Sequence, residues 1–157
     1  MSKLNYFKIM ILKYYTFFSL LSYLLLFTPF DTGTIHLEVQ NIKPSQGSIK
    51  VAIFGTEDEF LVDDKAIQGH SVVANNSDKL TITLKDLPFG TYAIAIYQDL
   101  NDNGKLDTNL FGVPKEPYGF SNNARSKWGA PKYKIAKFQL NQEVLHINAA
   151  VKTWSKQ

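Results

Sequence analysis

Thr91-Tyr-Ala-Ile-Ala-Ile-Tyr97 runs through Gln98 straight into Asp99-Leu-Asn-Asp-Asn-Gly-Lys-Leu-Asp107. The first half alternates and is rich in β-branched and aromatic residues, which predicts a strand. The second half sets side-chain oxygens at Asp99, Asn101 and Asn103, a glycine at 104 and a further carboxylate at Asp107. A hard cation such as Ca²⁺ takes about six to eight oxygens, and a short loop supplies several of them only by wrapping around the ion. Gly104 permits the reversal and Lys105 offers its backbone carbonyl. The stretch therefore reads as a Ca²⁺-type loop with Asp99, Asn101, Asn103, Lys105 and Asp107 as ligands.

The loop departs from the EF-hand in two ways. A strand, not a helix, leads into it, and Leu110 stands where a bidentate glutamate belongs. Glu116 is the nearest later carboxylate and the candidate for the missing ligand. A metal-free reading competes with this one. Asn103-Gly104 is a strong hairpin signal, and polar side chains in a turn cap their own backbone. With two neutral amides among the ligands, affinity is expected on the order of 10⁻⁴–10⁻³ M, as in extracellular modules.

Working outward, the pattern stays β. Thr34–Ile42 turns Ile35, Leu37 and Val39 to one face, and Ser48–Phe54 does the same with Ile49, Val51 and Ile53. The turn-like Lys43-Pro-Ser-Gln-Gly47 between them predicts a hairpin. Thr56–Ile67 is acidic and suits a short helical turn. Ser71–Ala74 and Lys79–Lys85 add two strands, and Asp86–Thr91 makes a tight turn. Tyr133–Leu140 and Val144–Val151 close the chain as a second predicted hairpin. Seven short strands and no useful helical periodicity point to an all-β fold, an immunoglobulin-like antiparallel sandwich of two sheets.

Residues 101–132 form one long ordered loop, and such loops are commonly functional. Its apolar content, from Leu110 to Pro131, is too high for a disordered linker. The favoured role of the cation is to tie down the start of this loop. Its aromatics either pack on the sandwich or, with Arg125, make a contact surface of Tyr118, Phe120 and Trp128.

Lys3, Lys8 and Lys13 precede an apolar run from Tyr14 to Phe27, the layout of a secretory signal peptide. The run is short of the about 20 residues a membrane span needs. No small-residue cleavage site follows, so an uncleaved anchor is the alternative, and only then is the membrane a partner. Residues 1–30 are thus the signal or anchor and 31–157 a single domain. The destination is the periplasm, the cell surface or the exterior. With no cysteine there is neither a disulfide nor a lipidated cysteine. Of 17 basic residues three lie in the signal, leaving 14 against 14 acidic ones. That balance gives no general basic surface and argues against a nucleic-acid partner. A partner protein or cell-surface ligand is expected. The acidic stretch from Glu57 to Asp64 and the basic one from Arg125 to Lys137 read as solvated surface.

Catalytic signals are weak, and no catalytic residue is assigned. Gly119-Phe-Ser-Asn122 is no nucleophile elbow. Asp99, Asp107, Glu116, Tyr118 and Arg125 under the long loop are the set an enzyme or small-ligand carrier would use. His36 and His146 face outward on the first and last strands. They would meet if those strands were neighbours, but no third zinc ligand is spaced for them.

The segments Leu87–Asp99, Asn101–Asn109 and Gly112–Asn122, taken together, resemble the bacterial family called domain of unknown function 2141. The resemblance spans about residues 34–152. It implies a small exported protein with a single β domain, and it implies no activity. The phrase Leu87-Pro-Phe-Gly-Thr-Tyr92 is similar to transthyretin-like and carboxypeptidase-regulatory-like modules, which implies a sandwich. Similar loops in calcium-binding β modules complete their site with a later glutamate, and that resemblance implies the same for Glu116.

Overall fold

The computed structural model describes residues 11, 13–15, 31–62, 64–127 and 129–154. The expected signal, apart from four helical residues at Ile11 and Lys13–Tyr15, lies outside these, as does Trp128. Among the described residues no helix is long and apolar enough to cross a membrane. From Asp31 onward the chain is a compact unit of its own.

That unit is an all-β sandwich. Its strands are β1 (Thr32–Gln40), β2 (Ser48–Phe54), β3 (Gln68–Val73), β4 (Lys79–Pro88), β5 (Gly90–Asp99), β6 (Tyr118–Phe120), β7 (Phe138–Leu140) and β8 (Val144–Ala150). One sheet has the order β4-β1-β8, and the other β3-β2-β5-β6, with β7 also on β5. The period-2 patterning does what it promises: Ile35, Leu37 and Val39 are buried against Ile49, Val51, Ile53, Ile94 and Ile96 in one core between the sheets. Each fully buried side chain of this kind contributes about 1.5–3 kcal/mol.

Both predicted hairpins are absent. β1 pairs β4 and β8, whereas β2 pairs β3 and β5, so 41–47 crosses from one sheet to the other. β7 pairs β5 while β8 pairs β1, so the 141–143 turn is a second crossing. Alternation states which face a residue takes but not which strand lies beside it, and each crossing keeps the inward faces inward. The β1–β8 pair is parallel, an exception in an otherwise antiparallel sandwich. β6 is the strand the sequence hid, three residues inside the Gly- and Pro-rich excursion. Tyr133–Ala136 folds as one helical turn where a strand was expected. The Tyr133 hydroxyl draws it onto the sheet by donating to Gly55 O at 2.7 Å, with Thr91 O 3.2 Å away. The expected helical turn at 56–67 is a series of tight turns, with Phe60 N–H on Glu57 O and Val62 N–H on Glu59 O.

A second, smaller core covers the outer face of the larger sheet. Ala93 and Ala95 leave room there for Phe120, Tyr133, Ala124, Ala136 and Phe60. The register gives the sandwich two distinct ends. At the Asp31 end lie 55–67, the β4–β5 turn and 133–143; at the Asp99 end lie 41–47, 74–78, 99–117 and 151–154.

Candidate functional site

The last two residues of β5 build the Asp99 end. Gln98 follows Ile94 and Ile96 on the inward face, and Asp99 follows Ala93, Ala95 and Tyr97 on the outward one. Both are fully buried. A buried amide is tolerated only if its polar atoms are paired. Gln98 Oε1 accepts from Lys43 N–H, and its Nε2 donates to Lys43 O and Gln46 O, each at 2.8 Å. The side chain thereby pins the crossing at 41–47. That crossing passes so close that a Cβ at Gly47, where φ is +59°, would sit 1.8 Å from Asp99 O.

Asp99 organises the loop that follows. Its Oδ1 accepts from Asn103 N–H at 3.1 Å and its Oδ2 from Gly104 N–H at 2.8 Å. The chain curls over the carboxylate with Asp102 and Gly104 both at positive φ. Asn101 Nδ2 and Asn103 Nδ2 converge on Asp107, donating to its two oxygens at 2.9 and 3.1 Å. Asn103 Oδ1 accepts from Lys105 N–H at 2.8 Å. The predicted residues Asp99, Asn101, Asn103, Lys105 and Asp107 are thus brought into one turn.

Glu116 is buried, and its position shows a role that spacing did not reveal. Oε1 accepts from Leu100 N–H at 2.7 Å and Oε2 from Asp107 N–H at 2.9 Å. One carboxylate therefore bridges the two ends of the loop. Hydrogen bonds to a charged acceptor contribute about 1.5–3 kcal/mol. Each of the six carboxylate oxygens of Asp99, Asp107 and Glu116 holds at least one N–H donor. Among the described residues, no group of three or more His, Cys, Asp or Glu is placed to hold a metal.

The outer face beside Asp99 is polar. Lys50 Nζ lies 3.8 Å from Asp99 Oδ2 and donates to Ser71 Oγ at 2.9 Å. The buried Ser48 hydroxyl, opposite Asp99 in the register, has no hydrogen-bond partner among the described residues. Burial pushes the Tyr97 phenol above 10.0, and the charges of Asp99 and Glu116 add to the rise.

Beyond the loop the chain makes a small hairpin that sequence reading missed. Lys115 N–H bonds Asp107 O and Asn109 N–H bonds Val113 O, each at 2.8 Å, with Thr108 and Pro114 bridged between. Asn109 Oδ1 caps Phe111 N–H and Val113 N–H, and Gly112 turns at φ +75°. At the tip Leu110 is 102 % and Phe111 90 % exposed. An Asn and a Gly enclosing two apolar residues was the available signal.

Of the two readings of the loop's aromatics, the contact surface does not hold for Phe120. Phe120 is 5 % exposed, sealed into the second core by the alanines beneath it, and presents nothing to a partner. Tyr118 is half-buried, its ring 6.0 Å from Phe120 and its outer side under the Arg125 guanidinium at 5.8 Å. Arg125 donates to Tyr118 O and Ala150 O, so it serves the backbone and not Asp99, Asp107 or Glu116. An open hollow lies across β3 and β4, lined by Gln68, His70, Thr83, Lys85 and Asp86, away from the long loop.

The model of a family described as "Uncharacterized protein conserved in bacteria (DUF2141)" matches residues 37–148. The chain belongs to this family. The DUF2141 match opens inside β1 and ends inside β8, so it takes in both sheets, the Asp99 loop, Glu116 and the Leu110–Phe111 tip. Comparison with curated proteins and with solved structures gave no match.

Proposed function

We propose that this DUF2141 chain is an exported, non-catalytic binding module whose Asp99–Asp107 loop takes a Ca²⁺ ion. The ion orders the hairpin that offers Leu110 and Phe111 to a partner protein or cell-surface ligand in the periplasm or outside the cell. The observation that carries the reading is the convergence of the Asn101 and Asn103 amides on Asp107. A half-turn of each amide exchanges nitrogen for oxygen at the same place, giving up the Asn103 N–H and Lys105 N–H bonds that the two Oδ1 atoms accept, and sets neutral oxygens beside a carboxylate. Asp99, Asn101, Asn103, the Lys105 carbonyl and Asp107 are the ligands in this reading, and Glu116 holds the ends of the loop around them. The unpartnered Ser48 hydroxyl adds a polar atom for a bound water. The bound ion would act by removing loop freedom, with binding energy that becomes folding energy.

The test is thermal unfolding of the full chain in EGTA and in 10 mM Ca²⁺, beside Asp99→Asn. With a dissociation constant of about 10⁻⁴–10⁻³ M, the expected gain is roughly 1.4–2.7 kcal/mol, or about 5–10 °C. The gain disappears in Asp99→Asn, and Tyr97 sensitises terbium emission in the parent alone. Identical melting in both solutions and no emission would mean that Asn103-Gly104 is only a turn.

A further inference from the structure

His36 and His146 are register partners on the parallel β1–β8 pair, on the solvent face of the smaller sheet. Their ring centres are 5.1 Å apart and the planes 31° from parallel. Across the other edge of β1, Thr83 Oγ1 lies 3.2 Å from His36 Nδ1. The three residues form a row over the three strands, and Thr83 fixes one ring nitrogen of His36 while leaving Nε2 free for a ligand.

The spacing suits a chelate. A zinc-bound imidazole nitrogen lies about 2.0–2.1 Å from the ion, which puts the ring centre about 3.2 Å away. Two such rings subtending a right angle or a tetrahedral angle have centres about 4.5 or about 5.2 Å apart. The observed separation falls between these limits. The Thr83 contact is of the kind that orients a ligating histidine from behind. We propose that His36 and His146 form a two-histidine site for a borderline divalent transition metal, Cu²⁺ or Zn²⁺. Its remaining positions are open to water or to a donor from a partner, since no third His, Asp or Glu joins the pair among the described residues. The site is independent of the Asp99 loop: it lies on the other sheet, and its nitrogen donors suit the ions that oxygen loops leave aside.

Isothermal titration of the untagged full-length chain with Cu²⁺ and Zn²⁺ tests the proposal. One equivalent of each is expected, Cu²⁺ the tighter. His36→Ala or His146→Ala weakens binding about a hundredfold, Thr83→Val about tenfold, and His70→Ala leaves it unchanged. Zn²⁺ shifts the ring-proton resonances of His36 and His146 in the parent chain, a reading that needs no variant, and excess Ca²⁺ does not reverse the shift. Unchanged binding in the His36→Ala/His146→Ala double variant, or still rings in the presence of millimolar Zn²⁺, overturns the assignment.

Discussion

The two ends of the sandwich are closed by opposite means, although β5 runs into both. At the Asp31 end its outward residues are Ala93 and Ala95, and the cover is aromatic: Phe60 packs edge-on against Phe54 and Tyr133 at 5.6 and 5.7 Å, with Phe120 beside it at 6.1 Å. At the Asp99 end the same strand supplies Gln98 and Asp99, and the cover is hydrogen-bonded loop. Apolar burial is non-directional. A carboxylate clamp is directional and works only while its charge and its donors stay in place. The molecule thus keeps its charged, hydrogen-bonded loops at one end and its apolar packing at the other.

That contrast breaks if the aromatic cover proves dispensable. Phe120→Ala should cost about 3–5 kcal/mol in urea unfolding, the largest effect expected of a single change here. Glu116→Gln should cost about 1.5–3 kcal/mol, and the amide hydrogens of Leu100 and Asp107 should exchange faster while those of β1 and β2 hold. A larger loss from Glu116→Gln than from Phe120→Ala would reverse the assignment of the two ends.

Alkaline titration sharpens the comparison further. Tyr92, Tyr97 and Tyr133 are all raised above 10.0, in each case chiefly by burial. A phenol whose folded pKa exceeds its unfolded one contributes stability below pH about 10 that is lost as pH climbs through the folded value. Unfolding should therefore become easier above pH about 10. Asp99→Asn should lower the Tyr97 phenol, seen by phenolate absorbance, and leave Tyr133 where it is, because Tyr133 answers to Glu57 and Glu59. The smallest stability effect belongs to the tip: Leu110→Ser with Phe111→Ser should stay within about 0.5 kcal/mol of the parent in urea unfolding.

Alternation made the core legible, and Ile35, Leu37, Val39, Ile49, Val51 and Ile53 lie where it put them. It was silent on which strands are neighbours, because an inward residue stays inward whether its strand turns back or crosses to the other sheet. The composition of the Asp99 loop was legible too, and all five of its predicted residues share one turn. The work of Glu116 was not, since spacing alone does not separate a carboxylate that ligates an ion from one that accepts two backbone N–H groups. Phe120 had a signal that went unread: Ala93 and Ala95, small residues on an outward face, leave space for a second layer.

The parallel seating of β8 on β1 also orders events in time. Thr34 N–H donates to Glu143 O, and β1 is paired along this edge only once Val144–Ala150 exist, so the smaller sheet gains its third strand last. Contacts of such long sequence separation slow folding. A nascent chain would stay unclosed along this edge until its C-terminus is free, and one truncated before Val144 would expose the bare edge of β1 to other strands. The sandwich carries in its topology a delay that no single residue encodes.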